Sequence, residues 1–359
     1  MKRCFLLICF LFLFVVPVHA ESEPLDVSVV EQELDEEARE ISGGLVTDGS
    51  YDLGGAIGRL IMKAKARTYS LVKEEGKELT GIAAIAVLCA AAESICTEAR
   101  IREILSICAC AAVSGMATAS VGSLLGSLDA AISAMSAYAR STLPAVYTAA
   151  AVSGAVVSAG AKYGAVLLCL NIMLDLYYKL TLPLIHVYLA FCISRSIYPN
   201  AILSAAVSVT KWLAVSLMTV LTMGVSAYIG LTGALTGGAD AVAVKGTKTV
   251  ISTTLPVVGG ILSDAASVVL ASARTIKNAA GVFALIGVCA LCLTPFLAAW
   301  IKMMLFRLCA AIAAAAEGKR LGVLLGDLSS AFGMMLGALG SMTIMLFISF
   351  MAAIRTVSG

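Results

Sequence analysis

"STTLPVVGGILSDAA", Ser252–Ala266, stands between long apolar runs yet does not read as a plain membrane span. Pro256 removes a backbone donor, the pair Gly259-Gly260 loosens the chain, and Asp264 follows within four residues. Before it lies "TGGADAVAVKGTKTVI" with Asp240, Lys245 and Lys248, and after it "SDAASVVLASARTIKNAAG" with Asp264, Arg274, Lys277, Asn278 and Gly281. Broken backbone at membrane depth is tolerated only where protein or a water-filled cavity covers it. The stretch therefore reads as a re-entrant or interfacial helix-turn-helix near 240–279. "PVVGG" is its turn, and 240–254 and 262–279 are its arms.

The rest of the sequence makes a membrane the right setting. Of 359 residues, 60% are hydrophobic and 13% charged, and the mean hydropathy is +0.97, far from the roughly 25% charge of soluble domains. The expected class is all-α: a polytopic transmembrane helical bundle. A net charge of +2, with no long block of like charge, excludes a nucleic-acid tail. Spanning a hydrocarbon core of about 30 Å takes about 20 apolar residues. Candidate spans are 79–97, 104–126, 142–160, 163–195, 201–231, 281–301 and 331–354, seven in all. Pro183 makes the fourth a kinked helix or a helical hairpin. An odd count after an outside start puts the C-terminus inside, although Lys319, Arg320 and Arg355 flank the last span on both sides and weaken the charge asymmetry.

Two segments precede the spans. Lys2 and Arg3, the apolar run Cys4–Val16 and "VPVHA" with small Val18 and Ala20 read as a signal peptide over 1–20, or else as a retained anchor. Residues 21–55 begin with nine acids against Arg39 between Glu21 and Glu40, an extracytoplasmic stretch too acidic to make a core. Over 56–78 the apolar residues Ile57, Leu60, Ile61, Ala64, Thr68, Leu71 and Val72 fall near a 3.6-residue period, with Arg59, Lys63, Lys65, Arg67, Lys73 and Lys77 mainly elsewhere. This basic amphipathic helix suits a headgroup layer, a protein partner or a simple lead into the first span. The bundle then divides into 79–239, the element 240–280, and C-terminal helices over 281–359.

Within the spans, "AAVSGMATASVGSLLGSLDAA" and "AAAVSGAVVSAG" are small-residue faces that allow close helix approach, with Gly122/Gly126 and Gly333/Gly337 as the pairs. Small hydroxyl residues equally suit a pore lining. Intramembrane charge is costly and marks function. Asp175 and Lys179, four apart in "DLYYK", form either a buried pair or part of the interfacial belt. Lys211, Lys302 and Arg307 lie near span ends, where their stems can snorkel.

Chemistry is sparse. The eleven cysteines include Cys289-x-x-Cys292, but a structural zinc site needs four ligands, no second CxxC exists, and His186 is the one histidine after the signal. "AVSG" at 112–115 and 151–154 lacks the first glycine of a serine-protease Gly-x-Ser-Gly. "GGAD" at 237–240 and "LLGD" at 324–327 miss Gly-x-Gly-Asp. No G-x-x-x-x-G-K-S/T loop is present, so ATP-driven work belongs to a partner. No enzyme activity, cofactor or metal is expected. A self-sufficient secondary transporter is the other class, but it favours paired broken helices and inverted repeats, and only one region here is clearly broken.

The order Asp240-Ala-Val-Ala, Lys245, Lys248, "LPVVGGILSDA", Lys277-Asn278, Gly281, then an apolar run with Pro295 and an Ala-rich helix, resembles the stage III sporulation protein AE family of endospore-forming bacteria. The likeness covers nearly the whole chain. Its early spans are unusually rich in Ala and Ser, and its tail "MAAIRTVSG" is less apolar than the family pattern. The resemblance implies a multi-pass protein of the mother-cell-derived outer forespore membrane, inside a channel or secretion-like complex required for spore development. Its implied partners are the other stage III sporulation A proteins, including a cytosolic ATPase and ring-forming subunits, and SpoIIQ on the forespore side. It supplies no catalytic residues. In that setting Asp240, Lys245, Lys248, Pro256, Gly259, Gly260, Asp264, Lys277 and Asn278 are the candidate gating or partner-docking residues. The alternative is that the charges only anchor two interfacial helices.

Overall fold

The computed structural model describes residues 46–47, 50–51, 53–96, 98–152, 156–254, 259–315 and 318–354, without side chains over 233–283. The signal peptide, the acids Glu21–Glu40, Pro256 and Arg355 lie outside the described residues. A two-residue antiparallel ladder opens the fold, β1 Val46–Thr47 on β2 Ser50–Tyr51. Asp48 and Gly49 stand between them in sequence, a pair suited to tight hairpins. The described elements after it are helices: α1 Leu53–Ile95, α2 Ala99–Val152, α3 Val156–Leu176, a π-turn Tyr177–Thr181, α4 Leu182–Ile197, α5 Ala201–Thr254, α6 Gly259–Ala315 and α7 Lys319–Ile354.

Helix ends follow local chemistry. Tyr198 is extended (φ −125°, ψ 88°) because Pro199 disfavours the helical region before it, which ends α4. Asn200 Oδ1 then accepts from the Ile202 N–H at 3.2 Å and caps the start of α5. The Gly318 N–H returns to the Ala313 carbonyl at 3.0 Å and closes α6. The kink expected at Pro183 takes a definite form. The π-turn over Tyr177–Thr181 widens the helix just before the proline, whose ring would clash with the Lys179 carbonyl in an α-helix.

Cross-helix bonds fix the topology. Arg320 pairs with Glu103, so the α1–α2 and α6–α7 connections share one end of the bundle. Arg195 with Asp327 puts the α4–α5 connection there too. At the opposite end, Tyr147 Oη donates to the Ser349 carbonyl and Lys162 Nζ to the Ala352 carbonyl. Successive arms therefore alternate in direction, with α3, the π-turn and α4 forming one arm. The α6–α7 hairpin is the centre: α7 packs most extensively on α6, α1 and α2 cover α6, and α3–α5 close the other side. Between Glu103 and Tyr147, α2 advances about 66 Å at 1.5 Å per residue, while Arg320 to Ser349 on α7 is about 44 Å.

Among the described residues five helical segments are long and apolar enough to cross a membrane: Ala99–Val152, Ala159–Ile197, Ala201–Ile229, Ala284–Ala315 and Lys319–Ile354. The expected count of seven is thereby corrected. The spans 104–126 and 142–160 fall largely in one helix, because helix formers run from Ser127 through Ser141 without a glycine or proline. Pro144 is absorbed inside that helix, which is described as far as Val152. Likewise 56–78 and the first span form the single helix α1, and nothing in "KEEGKELTG" is strong enough to stop it.

The arms of the expected helix-turn-helix are also not separate helices. Residues 240–254 continue α5, and 262–279 lie within α6. Of the expected turn "PVVGG", 256–258 lie outside the described residues, and Gly259 and Gly260 open α6.

Of the expected glycines, Gly337 lies against Met218, 3.4 Å from where a Cβ would stand, but the first pair packs on nothing. A Cβ on Gly122 or Gly126 would meet nothing within 4 Å, and both are exposed. Gly287 instead lies against Tyr138, which is fully buried. A Cβ there would overlap the phenol oxygen and lie 2.5 Å from its Cζ. Gly287→Ala should therefore destabilise the purified protein by about 1–3 kcal/mol, the usual cost of overpacking. Gly122→Ala should be neutral or better by up to about 1 kcal/mol through helix propensity. Chemical denaturation in detergent, followed by circular dichroism, measures both.

Candidate functional site

The sequence-predicted residues occupy the far portions of two consecutive helices. Asp240, Lys245 and Lys248 lie in the last third of α5, and Asp264, Lys277 and Asn278 in the first third of α6. Helical register puts Lys245 and Lys248 on one face and brings Asp264 within about 40° of Asn278. Gly259 and Gly260 are the first residues of α6, and Pro256 lies outside the described residues. The backbone thus gathers these positions on both sides of 255–258.

The described side chains converge elsewhere, on the central hairpin. Lys302 of α6 is 3% exposed. Its ammonium pairs with Glu75 of α1 and donates to Ser120 Oγ of α2 at 2.8 Å. One residue on, the Met303 carbonyl accepts from Ser329 Oγ of α7 at 2.8 Å. Within the same turn of α7, Asp327 pairs with Arg195 of α4, and its carbonyl accepts from Tyr188 Oη at 3.2 Å. Ser330 Oγ accepts from Lys211 Nζ of α5 at 2.9 Å. Polar contacts thus cross the bundle as a layer touching α1, α2, α4, α5, α6 and α7.

This arrangement corrects the reading of Lys302 as a snorkelling residue. A buried ammonium must be met by an anion and hydrogen-bond acceptors, and α1 and α2 bring them. Glu75 was not singled out in the sequence, yet at 100° per residue it falls within the apolar stripe of Ile57, Leu60, Ile61, Ala64, Thr68, Leu71 and Val72, a carboxylate on the face that packs. Leu71, 5% exposed, joins it in docking α1 on the bundle. Arg195 and Asp327 were each visible as charges in apolar runs, but 132 residues separate them and no local spacing pairs them.

Other predicted polar residues are placed plainly. Asp175 and Lys179 do pair, at 2.8 Å, with side chains 68% and 72% exposed. The pair is therefore on the surface, as in an interfacial belt. Lys211 and Arg307 are exposed; His186 is exposed and its Nδ1 lies 2.8 Å from the Leu182 carbonyl one turn back. Cys292 Sγ contacts the Cys289 carbonyl along the helix. Among the described residues no three His, Cys, Asp or Glu side chains come together in a metal-ligating group.

A family model described as stage III sporulation protein AE matches residues 51–357, which takes in every helix and the whole polar layer. The chain belongs to the stage III sporulation protein AE family. No curated protein and no solved structure matches it. Membership in the stage III sporulation protein AE family makes this a sporulation-related membrane component, and the five apolar helices make it multi-pass.

Removing one partner of a buried ion pair leaves the other charge unmet and costs about 3–5 kcal/mol. Lys302→Met should lose stability on that scale in detergent denaturation. Arg307→Met, one and a half turns along on the exposed side, should stay within about 0.5 kcal/mol.

Proposed function

We propose that the chain is an integral membrane subunit of the channel-like, secretion-related complex that joins mother cell and forespore, seated in the outer forespore membrane. The observation that carries this reading is the family match over the full helical bundle. Helix length supports it. At 54 and 57 residues, α5 and α6 are about 81 and 86 Å long, against about 54 Å for α7 and about 30 Å of hydrocarbon. The surplus at their joined ends carries Asp240, Lys245, Lys248, Asp264, Lys277 and Asn278. A charged helical extension of this kind is suited to docking or gating against other subunits.

In this reading the chain supplies no ATP-driven step. The cytosolic ATPase, the ring-forming stage III sporulation A proteins and SpoIIQ on the forespore side are its partners. Leu71 and Glu75 dock α1 on the bundle. The π-turn before Pro183 is the feature a self-sufficient transporter would use, since transporters bind at broken helices. Its charged neighbours Asp175 and Lys179 face outward, which favours the subunit reading.

Crosslinking in sporulating cells, followed by purification of a tagged copy, should recover the ATPase and the ring-forming proteins. Recovery of this chain alone, with those proteins present in the lysate, would overturn the subunit reading in favour of a transporter. Asp240→Ala with Asp264→Ala should lower spore yield at unchanged protein level. Normal yield would remove the docking or gating role from these residues.

A further inference from the structure

The polar layer reaches the outer flank of the bundle where α4, α5 and α7 meet, and among the described residues two cations there face one carboxylate. Arg195 and Lys211 bring two cations to one carboxylate, Asp327, which is already paired with Arg195. Arg195 Nε is buried and has no hydrogen-bond partner among the described residues. The hydrogen-bond partner of Lys211 there is a neutral hydroxyl, Ser330. An unmatched cation beside hydrocarbon is expensive, so this site calls for an anion from outside the chain.

The surroundings identify its source. On α5, Val209, Leu213 and Val215 are exposed around Lys211, as is Trp212 at 68%. Tyr198, just past the end of α4, is 71% exposed. An aromatic residue at a helix end, as Tyr198 is, marks the headgroup boundary. The segment Ala201–Ile229 is about 43 Å long, so if it is centred in a 30 Å core, Lys211 lies roughly 8 Å below the boundary. From there its flexible stem can carry the ammonium toward the phosphates. Arg195, two residues from the end of α4, stands nearer the boundary.

We propose that Arg195, Lys211 and Ser330 form a binding site for the phosphodiester headgroup of an anionic phospholipid, with Asp327 orienting the Arg195 guanidinium and the exposed α5 face receiving the acyl chains. Basic pockets between transmembrane helices recognise anionic lipids in this way. The site is independent of the partner-docking residues on the far portions of α5 and α6.

Trp212 is a built-in reporter. The full chain is reconstituted in phosphatidylcholine vesicles, and its fluorescence is quenched with brominated phosphatidylglycerol or brominated phosphatidylcholine at equal mole fraction. Trp212→Phe gives the background from Trp300, the second of the two tryptophans. Phosphatidylglycerol should be preferred at Trp212 by about fivefold or more, as expected for each basic residue near an anionic headgroup. Lys211→Gln and, separately, Arg195→Gln should lower that preference severalfold, and Lys211→Arg should keep it. Equal quenching by the two lipids, or a preference unchanged in both Gln variants, would overturn the proposal. Quenching by neither lipid would overturn it in favour of a protein covering the flank, such as an acidic transmembrane helix or a second copy. Loss of the preference on adding millimolar glycerol phosphate would replace the lipid with a soluble phosphate.

Discussion

Lys302 carries its charge in the interior of the bundle, and that charge has to be met there. Taking an ammonium out of water costs several kcal/mol, and the return comes only with a close anion and satisfied donors. Glu75 from α1 and Ser120 from α2 meet it together. The consequence is architectural: α1, which has the composition of a membrane-surface helix, is docked against α6. The ion pair does not add large net stability over an apolar core of the same shape. Its effect is to make one arrangement of α1, α2 and α6 far better than sliding alternatives, since any slip strands a charge.

The same logic continues along α7. Asp327, Ser329 and Ser330 occupy a single turn and engage α4, α6 and α5 respectively. In lipid, helices gain little from hydrophobic association, so polar contacts and tight packing have to set register. Here both act. The polar layer fixes one level of the bundle, and Gly287 against Tyr138 fixes another, where only a missing side chain admits the phenol. Toward the far end, Tyr147 and Lys162 reach carbonyls near the end of α7.

Much of this was legible in the sequence because composition and local breakers act locally. The helical membrane class, the departure from α-helical geometry before Pro183 and the Asp175–Lys179 pair all follow from residues within one or two turns of each other. Span counting failed where no breaker exists. Ser127–Ser141 is polar enough to suggest a loop, yet its Ala, Ser and Met residues continue a helix once α6 and α7 lie beside it. Pairings such as Glu75 with Lys302 and Arg195 with Asp327 were not legible, because their partners are far apart in sequence and no local spacing joins them. The pair Gly122/Gly126 failed for a related reason: a four-residue spacing marks a smooth face, and whether another helix uses it depends on the whole packing.

The most direct measurement is a double-mutant cycle between positions 75 and 302, using Glu75→Gln and Lys302→Gln and the unfolding free energy in detergent. If α1 is docked through this contact, the two substitutions will be strongly non-additive, with a coupling of about 1.5 kcal/mol or more. Additivity within about 0.3–0.5 kcal/mol, the range for independent sites, would mean that Glu75 and Lys302 do not meet and that α1 does not pack on α6 through them.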